Sequence, residues 1–261
     1  MTIKKILHPK LKFNDVSYGF FTRKGGYSKS PYGSLNCSFD VEDNEADVKK
    51  NLILVCNELK LKKLVKLHQI HSSKVVIINS KDNQVNNIKA DGLVTKLRGI
   101  GLSILGADCA PILFYDKISK IIGACHAGWR GAINGIIETT ITKMEDLGSR
   151  RKNIISIIGP AIHKESYQIK KDVASIVKET KFYKKNNSIL YQIKEDKYLF
   201  DLPLIIKESL KFAKIKNFAD INMNTYNKPN FFFSHRRSSN ENYPYQGKTG
   251  RHISVIGLID K

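Results

Sequence analysis

The chain has 261 residues, 41% of them hydrophobic, which is material for one large domain or two small ones with an ample core. Lys and Arg number 44 against 24 Asp and Glu, a formal net charge of +20. No window reaches the roughly 18 unbroken apolar residues of a membrane helix, and the basic start MTIKKILHPKLKF lacks the apolar core and cleavage site of an export signal. The 4 cysteines, Cys37, Cys56, Cys109 and Cys125, suit reduced thiols in the cytoplasm better than a disulfide scaffold. The positive excess is mostly Lys, spread from end to end among abundant Ile and Asn, as an AT-rich coding bias would produce. No basic stripe interleaved with aromatics is present, so no specific nucleic-acid partner is expected, while attraction for anionic substrates remains.

In chain order, Val16–Thr22 reads as a short strand, followed by a Gly- and Ser-rich loop to Asn36 punctuated by Gly25-Gly26 and Pro31-Tyr32-Gly33. Arg23 ends the strand, where a guanidinium can fork onto a carboxylate or phosphate; from spacing alone, a surface arginine in a hairpin is the plainer reading. Glu45–Leu61 carries Val48, Leu52, Val55 and Leu59 at helical spacing, with Asn44 or Asp43 as cap. Leu64–Ser80 gives two strand-like runs around His68, Gln69 and His71, the β-branched Val75–Ile78 favouring a strand. Asp91-Gly92 is a turn into Leu93–Thr95 and Ile100–Leu105.

The stretch Ile104–Gly131 then organises the rest. Pro111–Tyr115 and Ile121–Cys125 flank the polar turn Asp116–Lys120 and read as a β-hairpin. A tight turn places Cys109 and His126 opposite one another, within about one residue of register. Opposed residues of an antiparallel pair sit roughly 4.5–5.5 Å apart at Cα, close enough for a thiolate and an imidazole to share one metal ion. Gly106, Ala107, Ala127 and Gly128 leave room there for a ligand, and His71 is a possible third partner.

Beyond it, Ala132–Leu147 shows an apolar helical face closed by Gly148. The start of that helix, beside the metal position, offers backbone N–H groups to an anion. Ile154–Gly159 reads as a strand, Lys170–Thr180 as a helix, and Ile189–Ile193 as a strand within a basic connection. Phe200–Lys214 reads as a helix with Pro203 in its first turn, Asn230–Ser234 as an aromatic strand, and His252–Ile259 as the last strand after the loop Ser238–Gly250. No internal repeat or domain linker is evident, so 1–261 is read as one domain.

The motifs ADCAP at Ala107–Pro111 and HAGWRG at His126–Gly131 resemble those of the laccase-domain family. Its members are described as purine nucleoside phosphorylases, polyphenol oxidases or peptidoglycan editing factors. Further similar motifs follow in the family's order: TRKGG at Thr22–Gly26, SLN at Ser34–Asn36, QIH at Gln69–His71, DG at Asp91-Gly92, GPAI at Gly159–Ile162 and FFSHRR at Phe232–Arg237. The resemblance implies an α/β (α+β) unit of stacked mixed sheets with helices outside. It implies zinc ligands at His71, Cys109 and His126, and a cleft lined by Arg23, Asn36 and Arg236. Departures fall at Asn224, where many relatives have cysteine, at His235, where some have tyrosine, at Gln168, and in the long loop Ser238–Lys248.

Two imidazoles and a thiolate leave a fourth tetrahedral position open, as in catalytic zinc centres. The implied activities are phosphorolysis of purine nucleosides and deamination of adenosine, with Arg23, Arg236 and the helix start after Gly131 as phosphate holders. Asp108 is a candidate for positioning a ligand or transferring protons. Three classes compete: a copper polyphenol oxidase, a Cys–His hydrolase with Cys109 as catalytic nucleophile on a cell-wall precursor, and, from charge alone, a nucleic-acid-binding module.

Overall fold

The structure, a computed structural model, describes residues 2–80, 88–240 and 244–259. The first half of the chain forms β1 (Lys5–Ile6), β2 (Val16–Phe21), α1 (Glu45–Glu58), β3 (Lys63–Val65), β4 (Val75–Ile77), β5 (Gly92–Thr95), β6 (Ile100–Gly106), β7 (Ala110–Asp116) and β8 (Ile121–Ala127). Next come α2 (Trp129–Ile133), α3 (Ile136–Asp146), β9 (Ile154–Ile158), β10 (Gln168–Lys170), α4 (Lys171–Lys178), α5 (Lys181–Lys185), β11 (Leu190–Lys194) and β12 (Lys197–Phe200). The last elements are α6 (Leu202–Phe212), β13 (Asn217–Asp220), α7 (His235–Ser238) and β14 (His252–Leu258). Among the described residues no helix is long and apolar enough to cross a membrane.

Two mixed sheets stack face to face. One has the order β13-β9-β7-β8-β5-β4, the other β1-β2-β14-β6-β3, and a small antiparallel sheet, β10-β12-β11, lies beside them. Every residue of β7 and β8 is buried, because the hairpin has apolar material on both faces. Strand alternation divides those residues between two cores. Leu113 and Tyr115 meet Phe20, Leu102, Ile104 and Ile256 between the sheets. Ala110, Ile112 and Phe114 face Ile137, Ile141, Met144 and Ile206 of the covering helices. On the far face of the five-stranded sheet, Phe21, Ile253 and Val255 pack on Val55 of α1 and on Leu59 at its C-terminal cap. The expected α/β class therefore holds, with mixed sheets inside and helices outside. Each such side chain contributes roughly 1.5–3 kcal/mol by leaving water.

Local chemistry explains the element ends. Asn44 caps α1, accepting from the N–H groups of Ala46 and Asp47. The single helix expected over Ala132–Leu147 starts earlier, at Trp129, and is interrupted because Gly135 sits at φ 87°, ending α2 and opening α3. Phe200 belongs to β12; Asp201 caps α6 by accepting from the Leu204 N–H, so the helix begins two residues later than expected. Gln168–Lys170 forms β10 ahead of α4, whose expected start was Lys170. The aromatic run Asn230–Ser234 is not a strand. Phe232 and Phe233 are buried against the ring of His252, and Ser234 caps α7 by accepting from the Arg237 N–H. Aromatic rings can fill a core from a loop, which composition does not distinguish from a strand. The long loop expected before β14 includes residues 241–243, which lie outside the described residues.

Candidate metal centre

The centre lies at the open end of the β7–β8 hairpin. Pro111 is the residue paired with His126, so Cys109 stands two positions beyond the register in which it was expected to oppose the histidine. The contact survives because the chain turns sharply before β7, with Asp108 at φ 96°. Cys109 Sγ then reaches over Gly128: a Cβ there would lie 2.9 Å from the sulfur and 3.1 Å from His71 Cδ2. Any side chain at 128 would occupy the space the donors converge on.

His71 comes from the loop between β3 and β4, held at φ 59°, a conformation a non-glycine residue adopts only when its surroundings enforce it. Asp91, fully buried before β5, enforces it. Its Oδ1 accepts from the His71 N–H at 3.0 Å and pairs with His126 Nδ1 at 2.9 Å. Its Oδ2 accepts from the Ser72 N–H at 2.6 Å, the Ser72 hydroxyl at 2.8 Å and the Ile70 N–H at 3.2 Å. One carboxylate thus fixes the backbone of one histidine and the ring of the other. Because His126 Nδ1 is engaged, its Nε2 is the nitrogen left for a ligand.

The donor atoms of His71, Cys109 and His126 all lie within 4.8 Å of one another, with Cys109 Sγ 4.0 Å from His71 Nε2. The two imidazole rings meet edge to face, centroids 4.8 Å apart. Electrostatics favour the ligand form of the sulfur. Burial opposes ionisation of Cys109, but the charge and hydrogen bond of His126, helped by His71, bring the thiol down to about 6. Burial likewise opposes protonation of His126, yet the Cys109 sulfur and Asp91 outweigh it and raise the imidazole to about 9. Asp91 is held down at about 2: burial works against this, and the His126 and Ser72 hydrogen bonds overcome it. Two nitrogens and a thiolate, with an outer carboxylate orienting one imidazole, fit a tetrahedral zinc ion with one position to spare. Among the described residues this is the one cluster of three or more such side chains able to hold a metal.

The donors open into a cavity of about 320 Å³ whose wall includes Asp40, Gln69, His235 and Arg251. Of the other residues singled out in the sequence, Arg236 lies next to it. Its guanidinium sits 5.4 Å from the Tyr167 ring and lines an adjoining cavity of about 600 Å³, with His235 in the wall of both. Asp108 is almost wholly buried, its carboxylate accepting from the Thr225 hydroxyl at 2.6 Å and the Arg236 N–H at 2.7 Å. It anchors the start of α7. Asn36 was expected in the cleft and is instead fully buried: its Oδ1 accepts from the N–H groups of Ser38 and Arg251, and its amide donates to Asp43. Arg23 is also drawn elsewhere, donating to the carbonyls of Gly33 and Pro229 and stacking 4.4 Å over Phe233. Sequence reasoning passed over Asp91 as a turn residue and did not weigh Arg251 or Asp40. The DG dipeptide was the visible trace of the first; nothing local marks the other two.

Stacked mixed sheets, outer helices and a His–Cys–His cluster at the mouth of a buried hairpin define an α/β protein built around one three-donor centre. Residues 17–259 match the family described as multi-copper polyphenol oxidoreductase laccase, and the chain belongs to that laccase-domain family. It is 34% identical over 241 residues to a purine nucleoside phosphorylase of Rickettsia prowazekii, covering 89% of this chain and 93% of that one. It is 30% identical over 256 residues to the purine nucleoside phosphorylase YlmD of Bacillus subtilis, covering 94% and 89%. Among solved structures, the hypothetical protein YfiH of Bacillus licheniformis superposes with a TM-score of 0.85 at 31% identity, over 93% of this chain and 92% of that one.

Proposed function

We propose that the chain is a zinc-dependent purine nucleoside phosphorylase acting on adenosine, inosine, guanosine and methylthioadenosine, with adenosine deaminase activity at the same centre. The observation that carries this reading is the convergence of His71, Cys109 and His126 within 4.8 Å at the wall of an open cavity. The names of the relatives supply the substrate class. His71, Cys109 and His126 hold the ion, and Asp91 orients His126. Bound zinc supplies a Lewis acid and lowers the pKa of a water to about 7. In phosphorolysis a phosphate oxygen bonds to C1′ of the ribose, the bond from C1′ to the purine nitrogen breaks, and the purine leaves with a proton. Arg236, beside the adjoining cavity, is the side chain assigned to the phosphate, and Asp108 positions it by accepting from its backbone N–H.

One arrangement favours a second reading. Asp91, His126 and Cys109 lie in sequence as an orienting acid, a base and a nucleophile, the constellation of a Cys–His hydrolase. Copper oxidation has the family's description in its favour, yet a multicopper cluster needs far more His and Cys ligands than this one set.

Incubation of adenosine with the protein, with and without phosphate, chelator and added copper, separates the three. The phosphorylase yields adenine and ribose 1-phosphate only with phosphate, and inosine with or without it, both stopped by chelation. Activity that survives chelation and is lost on alkylation of Cys109 belongs to the hydrolase. Oxygen uptake with a phenol, rising with copper, belongs to the oxidase. No purine product under any condition overturns the proposal.

A further inference from the structure

The metal cavity shares Asp40, Leu67 and Leu105 with a neighbouring chamber of about 240 Å³ whose wall adds Phe39, Lys66 and His68. Asp40 thus stands in the walls of both spaces. It is the one carboxylate of the described residues in the wall of the metal cavity, since Asp91 and Asp108 are buried and saturated by the hydrogen bonds given above. Its backbone N–H donates to the Ser38 hydroxyl, while its exposed carboxylate has no hydrogen bond or ion pair among the described residues. Of the other polar wall groups, the Gln69 amide is spent on both backbone groups of Leu105, and Nη1 of Arg251 donates to the carbonyls of Thr249 and Gly250, while the His235 ring has no hydrogen-bond partner among the described residues. In the neighbouring chamber, Lys66 lies 4.3 Å over the Phe39 ring, without a carboxylate of the described residues within ion-pair distance.

A nucleoside presents three kinds of surface to such a cleft. The purine is flat and largely apolar, the co-substrate phosphate is an anion, and the ribose carries two neighbouring hydroxyl donors. A carboxylate free of hydrogen bonds accepts from hydroxyls and does not attract the phosphate, although its charge is felt by Lys66 and Arg251. We propose that Asp40 is the ribose-reading residue of the cleft, accepting from the 2′- and 3′-hydroxyls of the nucleoside, and so makes the site select ribonucleosides over deoxyribonucleosides. This rests on the nucleoside reading above and adds to it a sugar preference and the residue that sets it. A site arranged to bond a hydroxyl favours the ligand that carries it, because the analogue that lacks it forgoes the charge-assisted hydrogen bond.

The test pairs turnover with binding. Base release from adenosine and 2′-deoxyadenosine is compared in the wild type, Asp40→Asn and Asp40→Ala, and binding of adenosine and 2′,3′-dideoxyadenosine is followed by calorimetry. A charge-assisted hydrogen bond corresponds to a ribose preference of roughly 10–100-fold in the wild type, and Asp40→Ala should bring both ratios to within about threefold of unity. Asp40→Asn, which can still accept, should fall between. Thermal melting should be unchanged, because the carboxylate holds nothing in place. Equal handling of ribo and deoxy substrates by the wild type, or an equal fall for both in Asp40→Ala, overturns the assignment. If adenosine binds with the expected ribose preference but no base is released, Asp40 stands as a ribose contact and the phosphorylase reading fails instead.

Discussion

The two walls of the metal cavity are built on opposite plans. On one side Asp91 is buried and takes every donor in reach: three backbone N–H groups, a hydroxyl and the ring of His126. On the other, Asp40 and His235, with Lys66 in the adjoining chamber, carry polar atoms with no hydrogen-bond partner among the described residues, and Arg236 stands at the edge of a further cavity. The saturated wall fixes donor atoms before anything binds, so the cost of ordering them is met in folding. The open wall keeps its groups for a ligand to complete. Rigidity and vacancy are divided between the sides of one cleft, so a substitution should be read by the side it falls on.

The sharpest test of the saturated wall is removal of a donor. Cys109→Ala should reduce zinc affinity by more than about 100-fold with the far-ultraviolet spectrum retained, measured by elemental analysis after dialysis. Full zinc occupancy in that variant would break the assignment of the centre. Next in size, Asp91→Asn should weaken zinc by about 10–100-fold, read by competition with a chelator, although Asp91 is no ligand. The same carboxylate makes stability depend on acid. Its folded pKa, about 2, lies below that of an ordinary aspartate, so its contribution is complete above about pH 4 and lost as pH falls towards 2. Urea midpoints taken through that window should fall in the wild type and stay flatter in Asp91→Asn; parallel curves would count against the network. On the open wall, Arg236→Ala should raise KM for phosphate by about 10-fold and leave deamination nearly unchanged, provided the guanidinium holds the anion. An equal loss in both reactions would move Arg236 from ligand contact to support. The smallest effect concerns nucleic acid: at about 0.15 M salt, retention of duplex or single strands should be weak and fall steeply with added salt.

Cys109 and His126 could be read from the chain because each stands at an end of an apolar hairpin strand beside small residues, whereas His71, in a loop, is marked as a ligand only by the QIH motif. His126 closes β8, and Gly128 clears the space in front of Cys109. The register error of two residues shows the limit: alternation predicts which face a residue takes, whereas the turn at Asp108 depends on Thr225 and on α7, both more than a hundred residues away. The hydrogen bonds of Arg23 and Asn36 were hidden from the sequence for the same reason. The groups that claim them, Pro229, Phe233 and Arg251, arrive from the far end of the chain. The stacked sheets were legible in the apolar hairpin strands, but β10, β12 and β13, at most 4 residues each, are too short to show a period.

The position of β14 sets an order of events in synthesis. It lies in the interior of the five-stranded sheet, bonded to β2 on one side and β6 on the other. As a nascent chain leaves the ribosome, β2 and β6 emerge early with their facing edges open, and they cannot be bridged until residue 258 is out. The hairpin β7–β8, its partners β5 and β9, and the three donor residues can be assembled before then. The five-stranded sheet closes last, so the three donors can converge in a chain whose second sheet is still unfinished, and the final strand completes the sandwich.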